Sequence, residues 1–192
     1  RKVDSLRKPE PSCPEMAVAL LMDSAVDVPE ATEKALSITI IPLQILLNDC
    51  YFRDRVEIGK DELYRRMRSE KSLVVKTSQP APYDFKTAFE SALARKKQAL
   101  FFSLSSRLSG SHQNALAALR LLPAADQARI RIIDTLNVSA GSGLLLCRAL
   151  QLLDAGRDME QVAAEVEARR GDVVSLGYVE SLEYAVRGGR LP

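Results

Sequence analysis

Short apolar runs alternate with amphipathic segments along most of the chain. The runs "AVALLM", "ALFFSL", "IRIID" and "VVSLGYV" are compact and almost continuously apolar, which predicts buried strands. Helical patterns lie between them, and the clearest is "YDFKTAFESALARK", whose apolar side chains at Phe85, Ala88, Phe89, Ala92 and Leu93 share one face. Continuous apolar strands that alternate with helices are typical of parallel sheets covered on both sides. We therefore predict an α/β fold with a mostly parallel sheet and helices on both faces.

Local signals place several further elements. Helices are also predicted for "VPEATEKAL", "KDELYRRMRS", "NALAALRLL", "SGLLLCRALQLLDAG", "DMEQVAAEVEARRG" and "SLEYAVRGG". Gly156 is expected just beyond the end of one of these helices, and Asp158 is expected at the N-cap of the next. The segment "ITIIPLQILL" is predicted to be extended, although Pro42 argues against a central ladder position there. The segment "NDCYFRD" that follows predicts a turn with a short hairpin return.

The first residues differ in composition from the rest of the chain. Residues 1–15 are polar and carry Pro9, Pro11 and Pro14, so we predict a linker or an upstream tail. Residues 16–192 are then one domain, which is long enough to bury a core without metal or disulfide staples.

Charge and cysteine usage exclude several classes of function. The net charge is +2, and the basic residues are scattered among acidic ones, so no nucleic-acid partner is expected. No apolar run approaches the roughly 20 residues that span a bilayer, so no transmembrane segment is expected. Cys13, Cys50 and Cys147 are far apart, which favours free thiols in a cytoplasmic protein. His112 is the only histidine, and neither a metal nor a cofactor is expected.

Small and hydroxyl-bearing residues follow the predicted strands, where ligands bind in open α/β sheets. The candidates are Asp23 and Ser24, then Thr77 and Ser78, then Ser105, Ser106, Ser109, Gly110 and Ser111, and finally Thr135, Asn137, Ser139 and Ser142. Such loops supply hydrogen-bond donors and the positive ends of helix dipoles without a formal charge, which suits a carboxylate or a phosphate. The alternative is that these residues only cap helices and form turns.

A serine-dependent enzyme is a second hypothesis. His112 lies close in sequence to Ser109 and Ser111, and Asp134 or Asp23 could orient it as an acyl hydrolase or transferase requires. No G-x-S-x-G motif is present, which weighs against the common form of such a site.

Five segments resemble, in order and spacing, the DegV family of bacterial fatty-acid-binding proteins. They are "LLMDSAVDVPE", "TSQPAPYDF", "SSRLSGSHQNA", "IIDTLNVSAGSGLL" and "SLEYAVRGGRL", and the resemblance as a whole covers residues 16–191. The resemblance implies non-catalytic binding of one long-chain fatty acid, whose carboxylate is held by hydroxyl groups and whose tail lies in an apolar tunnel. It also implies a fatty-acid kinase as partner, to which the bound carboxyl group is presented for phosphorylation.

The resemblance also assigns residues. It implies Thr77 and Ser78 of "TSQP", and Ser109 and Gly110 of the "LSG" loop, as ligands of the head group. Arg190 and the nearby Arg187 are weaker candidates, which are implied at the rim of the site or at the surface that meets the kinase.

Three departures from the family pattern matter. The family's "SGTYQ" is "SGSHQ" here, and the serine that caps the helix after "TSQP" is replaced by Ala81. The family pattern continues into a second α+β lobe, which this chain is expected to lack, so apolar surface should be exposed or covered by a partner. A further possibility is fusion to a kinase of the dihydroxyacetone-kinase type, with the proline-rich start as the linker.

Overall fold

A four-stranded parallel sheet forms the centre of the protein. The computed structural model describes residues 17–70, 72–178 and 182–187, so the predicted tail and Arg190 lie outside the described residues. The sheet has the order β2-β1-β6-β7 and all its pairs are parallel. Its strands are β1 Val18–Asp23, β2 Thr39–Ile41, β6 Gln98–Ser103 and β7 Ile130–Asp134. The predicted parallel sheet is therefore confirmed, and its carboxyl edge carries Asp23, Ser103 and Asp134.

Helices cover both faces of this sheet, as predicted. On one face, α3 and α4 pack against the sheet through a cluster that includes Phe85, Phe89 and Phe101, whose rings meet edge to face or tilted. On the other face, α6 and α7 bury residues such as Leu146 and Val162. The helices of the described residues are α1 Glu30–Ala35, α2 Lys60–Ser69, α3 Pro82–Arg95, α4 Ser111–Arg120, α5 Ala124–Gln127, α6 Ala140–Asp154, α7 Met159–Arg169 and α8 Glu183–Arg187.

A small antiparallel sheet forms a second layer beside the carboxyl edge of the first sheet. It has the order β4-β3-β5, with β3 Gln44–Leu47, β4 Cys50–Arg53 and β5 Val75–Ser78. Pro42 separates β2 from β3, and Asn48 forms the hairpin turn with a φ of 53°. The expected hairpin return is thus present, while β5 and α5 were not predicted. Helix α2 packs against this sheet through Leu63 and Met67.

One predicted strand is wrong. Residues 173–178 of "VVSLGYV" form no strand, and Val174, Leu176 and Tyr178 are 75%, 93% and 93% exposed. An apolar run forms a strand only where a neighbouring strand can pair with it, and this segment is held instead by the Ser175 hydroxyl, which donates to Asn137 Oδ1 at 3.1 Å.

The predicted helix ends around α6 and α7 are confirmed. The Asp158 carboxylate accepts a hydrogen bond from Gln161 N at 2.8 Å, and Gly156 adopts a φ of +80°, which glycine tolerates after a helix end. At the other end of α6, Gly143 lies against the backbone of Asp27, and a Cβ there would overlap the Asp27 carbonyl oxygen. This close approach joins the segment after β1 to the first turn of α6.

Candidate functional site

A cavity of about 780 Å³ lies between the carboxyl edge of the parallel sheet and the small antiparallel sheet. This volume is within the range of small-molecule sites. Its walls come from four parts of the chain: residues 24–33 after β1, the β3–β5 sheet with Leu43, the start of α2 with the loop before it, and the loop between β6 and α4. The cavity is therefore assembled at the edge of the sheet where the sequence predicts a ligand.

Three of the predicted ligand residues line this cavity. They are Ser24, Thr77 and Ser109, which come from the segment after β1, from β5 and from the β6–α4 loop. Thr77 lies beside the cavity-lining Ile45 in the β3–β5 pairing. The cavity thus brings together hydroxyl groups that are widely separated in sequence.

The other predicted residues lie elsewhere. Asp23, a candidate ligand from the sequence, is fully buried and is not among the residues that line the cavity. Ser78 and Gly110 are also not among the lining residues, and Gly110 packs closely against the side chain of Gln79. Arg187 ends α8, while Arg190 lies outside the described residues.

Ser109 occupies the position just before the N-terminus of α4. Its Oγ accepts a hydrogen bond from Ser111 N at 3.2 Å and lies 3.1 Å from Ser111 Oγ. The loop that holds it is closed by Leu108 N and Ser109 N, which donate to Ser105 O at 2.9 and 3.1 Å. When the Ser111 hydroxyl is the donor of the contact between the two oxygens, the Ser109 proton is available for an acceptor in the cavity.

Ser24 joins the two layers at the floor of the cavity. Its Oγ accepts a hydrogen bond from Leu43 N at 3.0 Å, and its own amide donates to Ile41 O at 3.1 Å. The hydroxyl proton of Ser24 is thus free of these contacts, and a ligand in the cavity can accept it.

Asp23 lies beneath the cavity wall. Its Oδ2 accepts a hydrogen bond from Leu104 N at 2.7 Å, and its Oδ1 accepts one from Ala25 N at 3.2 Å. Burial raises the pKa of Asp23 to about 7, although these two hydrogen bonds pull the pKa down. A carboxyl group that changes charge near neutral pH therefore lies directly behind two residues of the cavity wall.

The geometry gives the enzyme hypothesis no support. The His112 ring contacts Ser103 Oγ through Nδ1 at 3.2 Å, and within the described residues no hydrogen bond joins it to Ser109 or Ser111. Burial lowers the pKa of His112, against the opposing charge of Asp134. Ser111 is fully buried, so its hydroxyl cannot meet a substrate in the cavity.

Apolar side chains make up much of the remaining wall. Val28, Leu43, Ile45, Leu63, Leu104 and Leu108 all line the cavity. Together with the hydroxyl groups, they form a site for a ligand with an apolar part and a polar end.

Charged residues also line the cavity, and the sequence patterns did not single them out. They are Asp27, Glu30, Glu33, Asp54, Arg55 and Lys60. Glu33 is 8% exposed and pairs with Arg55 at 2.6 Å, while Asp27 accepts a hydrogen bond from Ser139 Oγ at 2.6 Å. Arg55 has a φ of 63°, a left-handed backbone conformation that the sequence patterns did not predict.

The described part of the chain lacks two kinds of feature. It contains no group of three or more His, Cys, Asp or Glu side chains that could hold a metal ion. None of its helices combines the length and the apolar character that crossing a membrane requires.

Comparison with known proteins gives consistent matches. Residues 17–192 match the profile of the DegV family, which is described as an uncharacterised protein family. A DegV domain-containing protein of Caldanaerobacter subterraneus is 30% identical over 174 residues, which are 91% of this chain and 60% of that protein. The chain spans about 60% of the length of the curated relatives it matches.

Solved structures share the fold. A DegV family protein from Thermus thermophilus, described by its fatty acid binding, is 32% identical with a TM-score of 0.76, over 90% of this chain and 60% of that one. A stearic acid-binding protein from Eubacterium ventriosum is 29% identical with a TM-score of 0.73, over 79% and 52% of the two chains. The family profile matches residues 17–192, and the solved structures share the fold of this chain. This chain therefore belongs to the DegV family.

Proposed function

We propose that this chain binds one long-chain fatty acid in the cavity between its two sheets and performs no chemistry on it. The observation that carries the proposal is that Ser24, Thr77 and Ser109 line the same cavity as a set of leucine, isoleucine and valine side chains. Such a cavity suits a ligand with one polar end and a long apolar tail. The relatives support this choice, because the two solved structures compared above are described as binding a fatty acid and stearic acid.

The head group would be held by neutral donors. A carboxylate only accepts hydrogen bonds, and the hydroxyl protons of Ser24 and Ser109 are not committed by the contacts that their oxygen atoms accept. Ser109 also stands at the N-terminus of α4, where the helix dipole favours a negative charge. Neutral donors stabilise the anion without forming a salt bridge, which leaves a carboxylate oxygen available to another protein.

The tail would contribute much of the affinity. Each methylene group transferred from water to an apolar wall contributes about 0.8 kcal/mol. Ile45 and Leu63 supply such a wall on the side of the cavity formed by the small sheet and α2, and Val28 adds to it from the segment after β1. We infer that the remaining walls around the fatty-acid tail are formed by the part of the relatives' sequence that this chain does not cover.

Within this proposal the protein is a carrier. It presents the carboxyl group of the bound fatty acid to a fatty-acid kinase, separate or fused, which forms the acyl phosphate. This step follows from the family resemblance, and the exposed position of Leu108 beside Ser109 at the cavity is compatible with access to a partner.

Replacing Ser109 tests the head-group assignment. Ser109→Ala removes one donor to a charged acceptor, which costs about 1.5–3 kcal/mol and should weaken hexadecanoic acid binding about ten- to hundredfold. Isothermal titration calorimetry on the delipidated protein measures this change.

Ser91→Ala is the matched control, because Ser91 is exposed on α3 and does not line the cavity. Equal affinities for Ser109→Ala and the wild-type protein would remove Ser109 from the site. Absence of any fatty acid from protein expressed in bacteria, measured by native mass spectrometry, together with no binding of hexadecanoic acid, would refute the proposed function itself.

A further inference from the structure

Asp23 holds two segments of the cavity wall from behind. Its two carboxyl oxygens accept hydrogen bonds from the amides of Leu104 and Ala25, and both of those residues line the cavity. Leu104 is the first residue after β6, so this contact fixes the start of the loop that carries Ser109. The side chain of Asp23 itself is fully buried and does not reach the cavity.

No cation pairs with Asp23 among the described residues. Among the charged and titratable side chains on the elements packed around it, Arg107 of the β6–α4 loop is exposed, four others have the partners named next, and β2 contributes none. His112 contacts Ser103, Asp134 accepts from Ser106 N, Asp27 accepts from Ser139, and Glu33 pairs with Arg55. The negative charge of Asp23 is therefore balanced only by two backbone N–H groups, and it lies behind the wall that a bound anion would touch.

We propose that Asp23 is a positioning residue of the fatty-acid site, which fixes Leu104 and Ala25 from beneath and takes up a proton when the carboxylate of the ligand binds. The inference rests on the proposed function, because it needs an anion in the cavity. A second negative charge separated from Asp23 by one layer of backbone favours the protonated form of Asp23.

The direction of the pH dependence follows from this coupling. Burial already raises the pKa of Asp23 to about 7, and the bound carboxylate raises it further. Thermodynamic linkage makes two effects equal. If the bound fatty acid disfavours ionisation of Asp23 by a given factor, then ionisation of Asp23 weakens fatty-acid binding by the same factor. The affinity for a fatty-acid anion should therefore fall as the pH rises through neutrality, by about ten- to hundredfold at an effective dielectric constant near 20.

Calorimetry in buffers of different ionisation enthalpy measures the proton uptake. At about pH 7, hexadecanoic acid binding to the wild-type protein should take up a fraction of a proton more than binding to Asp23→Asn. The fatty acid's own carboxyl group titrates equally in both proteins, so the difference isolates Asp23. The wild-type affinity should also decline between about pH 6 and about pH 8, whereas that of Asp23→Asn should decline less.

Asp158→Asn is the matched control, because Asp158 also accepts a backbone N–H but caps the exposed start of α7. It should behave as the wild-type protein does. Equal proton uptake and equal pH profiles for the wild-type protein and Asp23→Asn would overturn the inference while leaving fatty-acid binding intact. No binding to the wild-type protein at any pH would instead overturn the proposed function and this inference with it.

A second measurement needs no variant at Asp23. The NMR chemical shift of the Leu104 amide proton should titrate with a midpoint near neutral pH, because that proton is donated to Asp23 Oδ2. Bound hexadecanoic acid should move this midpoint upward. A Leu104 amide that does not titrate, or a midpoint that the ligand leaves unchanged, would contradict the proposal even if Asp23→Asn does not fold.

Discussion

Two side chains at strand ends show how strongly position changes the role of a polar residue. Ser24 and Asp23 are neighbours in sequence, yet the Ser24 hydroxyl lines the cavity while the Asp23 carboxyl group lies behind it. The cavity side of this edge offers neutral donors, which suit a carboxylate. The buried side carries a carboxyl group whose charge depends on pH. Two neighbouring residues therefore have different roles, because Ser24 can bind the ligand while Asp23 positions the cavity wall.

Asp23 should make the stability of the protein depend on pH. Its folded-state pKa of about 7 lies above the ordinary aspartate pKa of 3.8, so the native state binds more protons than the unfolded state between these pH values. The free energy of unfolding should therefore fall as the pH rises from about 4 to about 7, and level off above that. Denaturant unfolding of the wild-type protein and Asp23→Asn across this range measures the effect.

The comparison between the two proteins removes the contributions of other groups. His112 and Asp134 both have lowered pKa values, and they titrate in the variant as they do in the wild-type protein. The difference in unfolding free energy between wild type and variant should thus change with pH. A difference that stays constant over the range would contradict the buried state of Asp23.

At the scale of single elements, helix ends follow local rules, with one exception at the start of α3. Asp158 caps α7 with its carboxylate, but Ala81 occupies the N-cap of α3 and has no side-chain acceptor. Asp84 still accepts a hydrogen bond from Ala81 N at 2.8 Å, so half of a capping box remains. The Asp84 N–H donates to Ala81 O at 3.0 Å, so the start of this helix lacks only the side-chain acceptor that a capping serine would supply.

Restoring the cap should stabilise the protein. Ala81 has φ and ψ of −70° and 156°, which a capping serine adopts without strain, so Ala81→Ser should add about 1 kcal/mol. In a chain of this size that gain raises Tm by about 2–4 °C, which calorimetry can measure. Ala94→Ser, at an exposed position in the last turn of the same helix, is the control, and it should not raise Tm because serine is a poorer helix former than alanine. A lower Tm for Ala81→Ser would show that its hydroxyl does not reach the helix.

At the scale of the whole molecule, the cavity exists because two layers are held at a fixed separation. Three contacts join the layers or the loops between them: Glu33 pairs with Arg55, Ser24 accepts from Leu43 N, and Asn114 Nδ2 donates to Pro80 O at 2.8 Å. The small sheet otherwise has its own apolar cluster, separate from the two clusters of the parallel sheet. Polar contacts therefore set much of the relative position of the layers.

Removing Arg55 should cost more than removing an exposed arginine from a comparable pair. Arg55→Ala leaves the Glu33 carboxylate buried without its partner, which should destabilise the protein by about 2–3 kcal/mol. Arg53→Ala is the control, because the Arg53–Glu57 pair is exposed and should contribute less than about 1 kcal/mol. Denaturant unfolding measures both, and adding Glu33→Gln to Arg55→Ala should recover part of the loss. Equal losses at Arg53 and Arg55 would show that the layers do not depend on this pair.

The sequence by itself determined the parts of the protein that depend on local pattern. Apolar runs such as "ALFFSL" are buried wherever they pair, so the parallel sheet and its covering helices follow from hydrophobicity alone. Gly156 and Asp158 fix helix ends through their own backbone and side-chain chemistry. The positions of Ser24 and Ser109 near one edge follow from the parallel topology, since the carboxyl ends of such strands meet, whereas Thr77 reaches the cavity on a strand of the antiparallel sheet.

Only the tertiary structure decided what depends on contacts between distant residues. Residues 173–178 have the composition of a strand but pair with no other strand in the part of the chain that the structure describes, whereas β5 pairs with β3 although its sequence is less apolar. The pairing of Glu33 with Arg55 joins residues from two layers, and the burial of Asp23 comes from elements that meet only after folding. The hydrophobic pattern of a sequence indicates which residues are buried, but it does not indicate which residues contact each other across the fold. Those contacts between distant residues determine the shape of the cavity.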